Sequence, residues 1–176
     1  DSTLLAARIG DAAMAALWAT HDRIARDLLA HWQGLEIDKT DGMLLLFDDA
    51  ADAVQYAQAY HRALAGLPVP LQARAGLHVG PVILRENTPE DVARGAKPLE
   101  VDGLAKPIAA RVMSLARGGQ TLLTPEAREA IDDWLDHGAL QARSHGHWVL
   151  KGVAAPVELF EVLIPLLLGF ATVLFA

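Results

Sequence analysis

The pattern of apolar and polar positions along this chain predicts a mixture of helices and strands. Apolar residues recur every three or four positions through 4–32, which is typical of an amphipathic helix. An Asp-Gly pair at 41–42 predicts a hairpin between two strands within 35–47, and polar, turn-forming residues at 86–98 predict a surface insertion. The other predicted helices are 48–65, 105–117 and 125–135, and the other predicted strands are 71–84 (one strand, or two around Gly80), 120–123, 148–150 and 157–162.

This order of elements predicts an α+β domain over residues 1–162. It lacks only an opening strand to make a ferredoxin-like βαββαβ core, in which a mostly antiparallel sheet carries its helices on one face. The tail at 163–176 is uncharged and strongly apolar, and it is either the missing first strand or a truncated membrane segment. A bilayer span needs about 20 apolar residues, and β-branched and aromatic residues favour strands, so we expect 170–175 to pair within the sheet.

Composition narrows the class of protein further. A chain of 176 residues suffices for one domain with a core, and 15 basic against 22 acidic residues give a net charge of -7, which argues against a nucleic-acid partner. The absence of cysteine excludes disulfides and thiolate metal sites. Because the sequence lacks a secretory signal, we expect a cytoplasmic domain, with a membrane tether through flanking sequence left open.

Three segments in a fixed order together resemble one enzyme family. They are 37–47 (IDKTDGMLLLF), 76–80 (GLHVG) and 100–124, where Glu100 precedes Arg111 by eleven positions and a Gly-Gly pair ends the helix. In this order they resemble the catalytic domain of the class III adenylate/guanylate cyclases, over residues 1–162. The resemblance implies a lyase of cyclic-nucleotide signalling, which converts a nucleoside triphosphate into a 3′,5′-cyclic nucleotide and pyrophosphate.

The resemblance also implies two catalytic metal ions, Mg²⁺ or Mn²⁺, held by two aspartates on adjacent strands. Oxygen ligands suit both ions, and two-metal catalysis suits an in-line displacement at phosphorus. Asp41 matches the second aspartate, and the first would precede Asp1. From spacing alone, the Asp of a hairpin turn is the simpler interpretation of Asp41, whereas the resemblance favours a metal ligand.

Purine recognition in the family uses a lysine and a carboxylate across the dimer interface. The resemblance assigns these functions to Lys39 and Glu100, with Asp102 as a neighbour able to substitute for Glu100. We expect ATP rather than GTP as the substrate, because the glutamate and cysteine that read guanine in the family cannot both be present here. Lys39 lies closer to Asp41 than in the family pattern, so a solvated turn cation is its alternative interpretation.

Phosphate contacts in the family come from a helix and from a late lysine. Arg111 matches the arginine that stabilises the transition state, and Lys151 matches the lysine that meets the triphosphate, although a solvated strand-end lysine is an equal interpretation of Lys151. The asparagine expected one turn before the arginine is replaced by Pro107, which has no side-chain donor.

The resemblance finally implies a homodimer whose two active sites are shared between the chains, with metal ligands from one chain and the arginine from the other. Pro107 and the shortened hairpin motivate an alternative function. In that alternative, the chain is a catalytically degenerate cyclase-homology domain that acts as a nucleotide-binding or dimerising signalling module.

Overall fold

The computed structural model describes residues 2–40, 42–137 and 141–163. Its helices are α1 Ser2–Ile9, α2 Asp11–His31, α3 Ala50–Ala65, α4 Pro89–Ala93, α5 Ala105–Leu115, α6 Pro125–Glu129 and α7 Asp132–His137. Its strands are β1 Leu35–Lys39, β2 Met43–Leu46, β3 Ala75–Leu77, β4 Ile83–Glu86, β5 Leu99–Asp102, β6 Thr121–Leu123, β7 Gln141–Trp148 and β8 Val157–Leu163.

Strand pairing is mostly antiparallel. The largest described sheet has the order β3-β6-β8-β7, in which only β3 and β6 run parallel. The pairs β1–β2 and β4–β5 form two antiparallel hairpins. The predicted α+β class with mostly antiparallel pairing is therefore confirmed.

The core around the four-stranded sheet lies on both of its faces. Leu122 of β6 and Leu159 of β8 pack with Val112 of α5. Their sequence neighbours Leu123 and Phe160 lie in a second cluster, which includes residues of α3 and α6. Because neighbouring strand residues point to opposite faces, helices cover both sides of this sheet. This distribution refines the expectation of helices on one face, and it explains why all three residues of β6 are buried.

A third cluster joins the N-terminal helices to the β1–β2 hairpin. Leu17 and Leu29 of α2 pack with Tyr60 and Leu64 of α3, and Met43, Leu45 and Phe47 pack against this group from the hairpin side. This apolar contact fixes where the end of β1, with Lys39, lies relative to α2.

Several boundaries differ from the sequence prediction. The helix predicted at 4–32 is divided at Gly10, whose φ of 83° is unfavourable for residues with a side chain. The helix predicted at 125–135 is also two helices, α6 and α7. β5 was not predicted, because its four residues include only two apolar ones. The strand predicted at 148–150 is in fact β7, which ends at Trp148.

The tail strand expected at 170–175 and the expected metal ligand Asp41 lie outside the described residues. Both stay predictions. Within the described ranges, no helix is long and apolar enough to cross a membrane.

Candidate active site

Helix α5 carries Arg111 and is held very close to the sheet. A Cβ at Gly76 would lie 2.2 Å from the backbone nitrogen of Met113, so only a glycine allows β3 and α5 to approach this closely. The first-turn position of Pro107 is compatible with the helix, since the first intrahelical bond runs from the Ile108 amide to the Leu104 carbonyl. Pro107 therefore costs the helix no hydrogen bond, but it offers no donor to a ligand.

The guanidinium of Arg111 lies beside the turn that follows β7. A Cβ at Gly152 would lie 3.7 Å from Nη2 of Arg111, and Gly152 directly follows the exposed Lys151. Among the described residues, neither Arg111 nor Lys151 forms an ion pair with a carboxylate. The structure thus brings Arg111 and the turn of Lys151 together, as two cationic elements without an internal counter-charge.

The two candidate base-reading carboxylates lie on β5 and share one arginine. Glu100 and Asp102 are two positions apart, so they point to the same face of the strand. Arg85 on the paired strand β4 approaches both, with its Nη2 3.9 Å from Glu100 and its Nε 3.3 Å from Asp102. Asn87 also donates to Oε1 of Glu100 across 3.5 Å. Asp102 is therefore the closer partner of Arg85, and Glu100 is held by two long contacts.

Lys39 ends β1 and is not a free turn cation. Its ammonium donates to Asp22 of α2, and this hydrogen bond is the main reason that the pKa of Asp22 is lowered. Burial of Asp22 opposes this shift. Lys39 is therefore paired with a specific carboxylate at the surface, and its function in base recognition stays a prediction.

Asp38, the neighbour of Lys39, faces the opposite way. Its carboxylate pairs with Lys97, in the loop before β5, at 2.5 Å. This hydrogen bond is the main cause of its lowered pKa, and Lys106 of α5 also contributes through its charge. The Asp38–Lys97 pair therefore links the β1–β2 hairpin to β5, where the carboxylates lie.

Sequence reasoning missed Asp22, Asp38 and Lys97. One signal was present for Asp22, because Asp22 and Arg26 are one helical turn apart on α2 and meet opposite charges on β1. No comparable spacing announces the pair of Asp38 and Lys97, which depends on the unpredicted strand β5.

The described residues do not by themselves make a metal centre. No group of three or more acidic residues or histidines within 2–40, 42–137 and 141–163 is arranged to hold an ion. The neighbours of Asp41 do form a tight turn, in which the Thr40 amide donates to the Gly42 carbonyl at 2.9 Å. Such a turn is compatible with both interpretations of Asp41.

Comparison with known proteins gives a clear answer for the fold. No protein-family model and no curated protein matches the sequence. Solved structures do match, among them adenylate cyclases from Trypanosoma brucei in their monomeric state, with 22% identity, a TM-score of 0.81, and coverage of 100% of this chain and 87% of theirs.

Two further solved structures agree. The adenylyl cyclase CyaB from P. aeruginosa is 19% identical with a TM-score of 0.77, covering 92% of this chain and 88% of its own. The guanylate cyclase domain of RhGC from Catenaria anguillulae, in complex with GTP, is 15% identical with a TM-score of 0.77, covering 93% and 91%. The resemblance seen in the sequence is therefore confirmed at the level of the fold, which is that of adenylate and guanylate cyclase catalytic domains.

Proposed function

We propose that this chain, on its nucleotidyl cyclase fold, converts ATP to 3′,5′-cyclic AMP and pyrophosphate. The observation that carries the proposal is the position of Arg111 beside the turn of Lys151. Two cationic side chains that have no carboxylate partner within the described part of the chain, which carries a net charge of -7 overall, suit a ligand that brings its own negative charge. A nucleoside triphosphate is such a ligand.

The chemistry assigns a separate function to each cation. The ribose 3′-hydroxyl loses its proton to solvent as its oxygen attacks the α-phosphorus, the bond from that phosphorus to the bridging oxygen breaks, and pyrophosphate leaves with the electron pair. The planar fork of Arg111 suits two oxygens of the α-phosphoryl group as their charge grows. Lys151, a compact charge on a flexible stem, suits the β- and γ-phosphates. Two Mg²⁺ or Mn²⁺ ions, with Asp41 as a ligand, would supply activation of the hydroxyl and neutralisation of the phosphates.

Base recognition follows from the carboxylates on β5. Glu100 is the better acceptor for the adenine amino group, because its contacts with Arg85 and Asn87 are long and easily replaced. Asp102 keeps Arg85 occupied at 3.3 Å. Lys39 then donates to a ring nitrogen of the base. A guanine would present a carbonyl oxygen where adenine has its amino group, and Glu100 would repel it.

Assembly as a homodimer is supported by an exposed apolar patch on the β4–β5 hairpin and the loop before α5. Ile83 and Leu104 line one groove and are 67% and 79% exposed. Exposed apolar surface of this kind marks an interface more often than a solvent-facing surface. We infer a twofold homodimer in which each active site takes Asp41 from one chain and Arg111 from its partner.

One observation favours the second candidate function. Pro107 removes the side-chain donor expected one turn before Arg111. A domain with this defect that still binds nucleotide would act as a signalling module without turnover.

A single assay separates the two functions. Purified protein is incubated with Mn²⁺ and either ATP or GTP, and cyclic nucleotide is measured by chromatography, alongside Arg111→Ala and the control Arg117→Ala. Loss of one transition-state contact lowers kcat by about 10²-fold, so we expect that drop for Arg111→Ala and no drop for Arg117→Ala. Nucleotide binding without turnover by the unmutated protein would support the degenerate module, and absence of both would contradict the two functions together.

A further inference from the structure

Lys39 is the outermost of four polar side chains that are linked by hydrogen bonds and reach into the protein interior. The ammonium of Lys39 contacts one oxygen of Asp22, and the other oxygen lies 2.9 Å from Nδ1 of His21. The second ring nitrogen of His21, Nε2, lies 2.5 Å from the hydroxyl of Tyr60. The chain therefore crosses from α3 through α2 to the end of β1.

The direction of the hydrogen bonds at Asp22 follows from what each group can donate. Asp22 as a carboxylate only accepts, so Nδ1 of His21 carries a proton and donates. Burial raises the pKa of Tyr60 to about 12, so its hydroxyl keeps its proton where it meets Nε2 of His21. Asp22 therefore accepts from His21 on one side and from Lys39 on the other.

The inner members of this chain are fixed by packing. His21 and Tyr60 are each 8% exposed, and the Tyr60 ring belongs to the apolar cluster between α2 and α3. The indole of Trp18 stands edge-on to the imidazole at 5.0 Å. An isolated surface ion pair is loose because both side chains keep many rotamers, whereas here the carboxylate is anchored before it meets the lysine.

A second ion pair joins the same helix to the same strand, and its carboxylate acts on Lys39 through charge alone. Arg26 donates two hydrogen bonds of 2.9 Å to Glu36. The bulge between Glu36 and Asp38 shifts the alternation of β1 by one residue, so that both Glu36 and Lys39 face α2. The Arg26–Glu36 pair is therefore a matched control, since its loss loosens α2 against β1 and removes a nearby negative charge, while the hydrogen bond between Lys39 and Asp22 is kept.

We propose that Asp22 is a positioning residue for purine recognition, which holds the Lys39 ammonium at the end of β1. The inference rests on the proposed cyclase function and adds a residue to it. An ammonium has three N–H donors, and one is taken by Asp22, so the other two remain for acceptor atoms of the base. The carboxylate also offsets the charge of Lys39. This lysine is therefore suited to donate to a neutral ring, and it attracts the triphosphate less strongly than an unpaired lysine does.

The test compares three full-length variants with ATP and GTP as substrates. Asp22→Asn keeps the size of the side chain and removes the charged acceptor, and a hydrogen bond to a charged group is commonly worth about tenfold in binding. We expect KM for ATP to rise about tenfold with kcat changed by less than about threefold, and the preference for ATP over GTP to fall. Asp22→Glu, which restores the carboxylate, should recover part of the loss in KM.

Glu36→Gln is the control, and its KM should stay within about twofold of the unmutated protein, as for an ordinary surface substitution. An equal rise in KM for Glu36→Gln would overturn the proposal, because it would mean that any loosening of α2 is sufficient. An unchanged KM and ATP preference in Asp22→Asn, with thermal unfolding confirming a folded protein, would also overturn it while leaving the cyclase function standing.

The same comparison is made for binding of a fluorescent ATP analogue in the presence of Mn²⁺, so that a chain without turnover still gives a result. We expect the Kd of the analogue to be highest for Asp22→Asn, lower for Asp22→Glu, and close to that of the unmutated protein for Glu36→Gln. Failure of the unmutated protein to bind or convert either nucleotide would overturn the cyclase proposal and this one together.

Discussion

Two cationic regions of the molecule differ in whether their positive charges are paired with carboxylates. At the end of β1, Lys39 and Lys97 are each paired with a carboxylate of their own chain, Asp22 and Asp38. At the junction of α5 and the turn after β7, Arg111 and Lys151 have no such partner among the described residues. A neutral base needs an oriented donor, while a polyphosphate needs net positive charge, so the difference matches the two ends of one nucleotide.

The largest expected effect comes from removing a ligand of the metal ions proposed to neutralise the phosphates. Asp41→Asn should reduce cyclase activity to background, because an amide is a much poorer ligand for Mg²⁺ or Mn²⁺ than a carboxylate. Folding should be unaffected, since Asn suits a tight turn as well as Asp does. Activity is measured with Mn²⁺ and folding by circular dichroism.

Mixing then tests whether the site is shared. Asp41→Asn chains combined with Arg111→Ala chains should regain activity, because one of the two sites in a mixed dimer is intact. Persistent inactivity in mixtures where heterodimers have been verified would count against a site built from two chains.

A smaller effect is expected at the junction of α5 and the turn after β7, where the cations have no carboxylate partner among the described residues. Lys151→Ala should raise KM for ATP by about tenfold, as for the loss of one hydrogen bond between charged groups. The salt dependence of KM should also weaken, because one exposed cation no longer contributes. KM is measured at low and high ionic strength. Arg117→Ala serves as the control, and if it changes KM and its salt dependence equally, Lys151 has no specific function.

At the end of β1, where the lysines are paired with carboxylates, the effect of Tyr60 should be smaller again, because Tyr60 reaches Lys39 only through His21 and Asp22. Tyr60→Phe removes the hydroxyl that shares a hydrogen bond with His21, and we expect KM for ATP to rise about threefold. The free energy of unfolding should fall by about 1 kcal/mol, the usual value for one hydrogen bond. Steady-state kinetics and urea unfolding measure the two quantities. A loss of stability with no change in KM would confine the function of Tyr60 to the core.

The smallest effect concerns pH. The pKa of Asp22 is lowered in the folded protein, first by the hydrogen bond from Lys39, so its charged form stabilises the fold. This stabilisation is present above the unfolded value of 3.8 and is lost as the pH falls through the lower folded pKa. Asp22→Asn should therefore flatten the decline in the free energy of unfolding below pH 3.8, measured by urea unfolding between neutral and acid pH. An unchanged slope would mean that the Lys39 contact does not persist in solution.

The sequence predicted the parts of this molecule that depend on local pattern. The β1–β2 hairpin, helix α3 and helix α5 follow from periodicity and turn chemistry, and the identity of the fold follows from three motifs in order. Strand β5 escaped prediction because four residues with two apolar positions carry little periodic signal. The partners of Lys39 and Asp38 could not be predicted for a different reason. They lie 17 and 59 positions away in the chain, and only the packing of α2 and of the β4–β5 hairpin brings them into contact.

The close approach of Gly76 to Met113 determines how near to the sheet the helix that carries Arg111 lies. The distance between α5 and the sheet is set there by main-chain atoms, which have no rotamers to exchange. The spacing between α5 and β3 at this point therefore depends on the main chain and not on the rotamer of any side chain. The same contact offers a handle for engineering. Gly76→Ala would push α5 away from β3 and shift the guanidinium of Arg111 relative to the turn of Lys151, without changing Arg111 or Lys151 themselves.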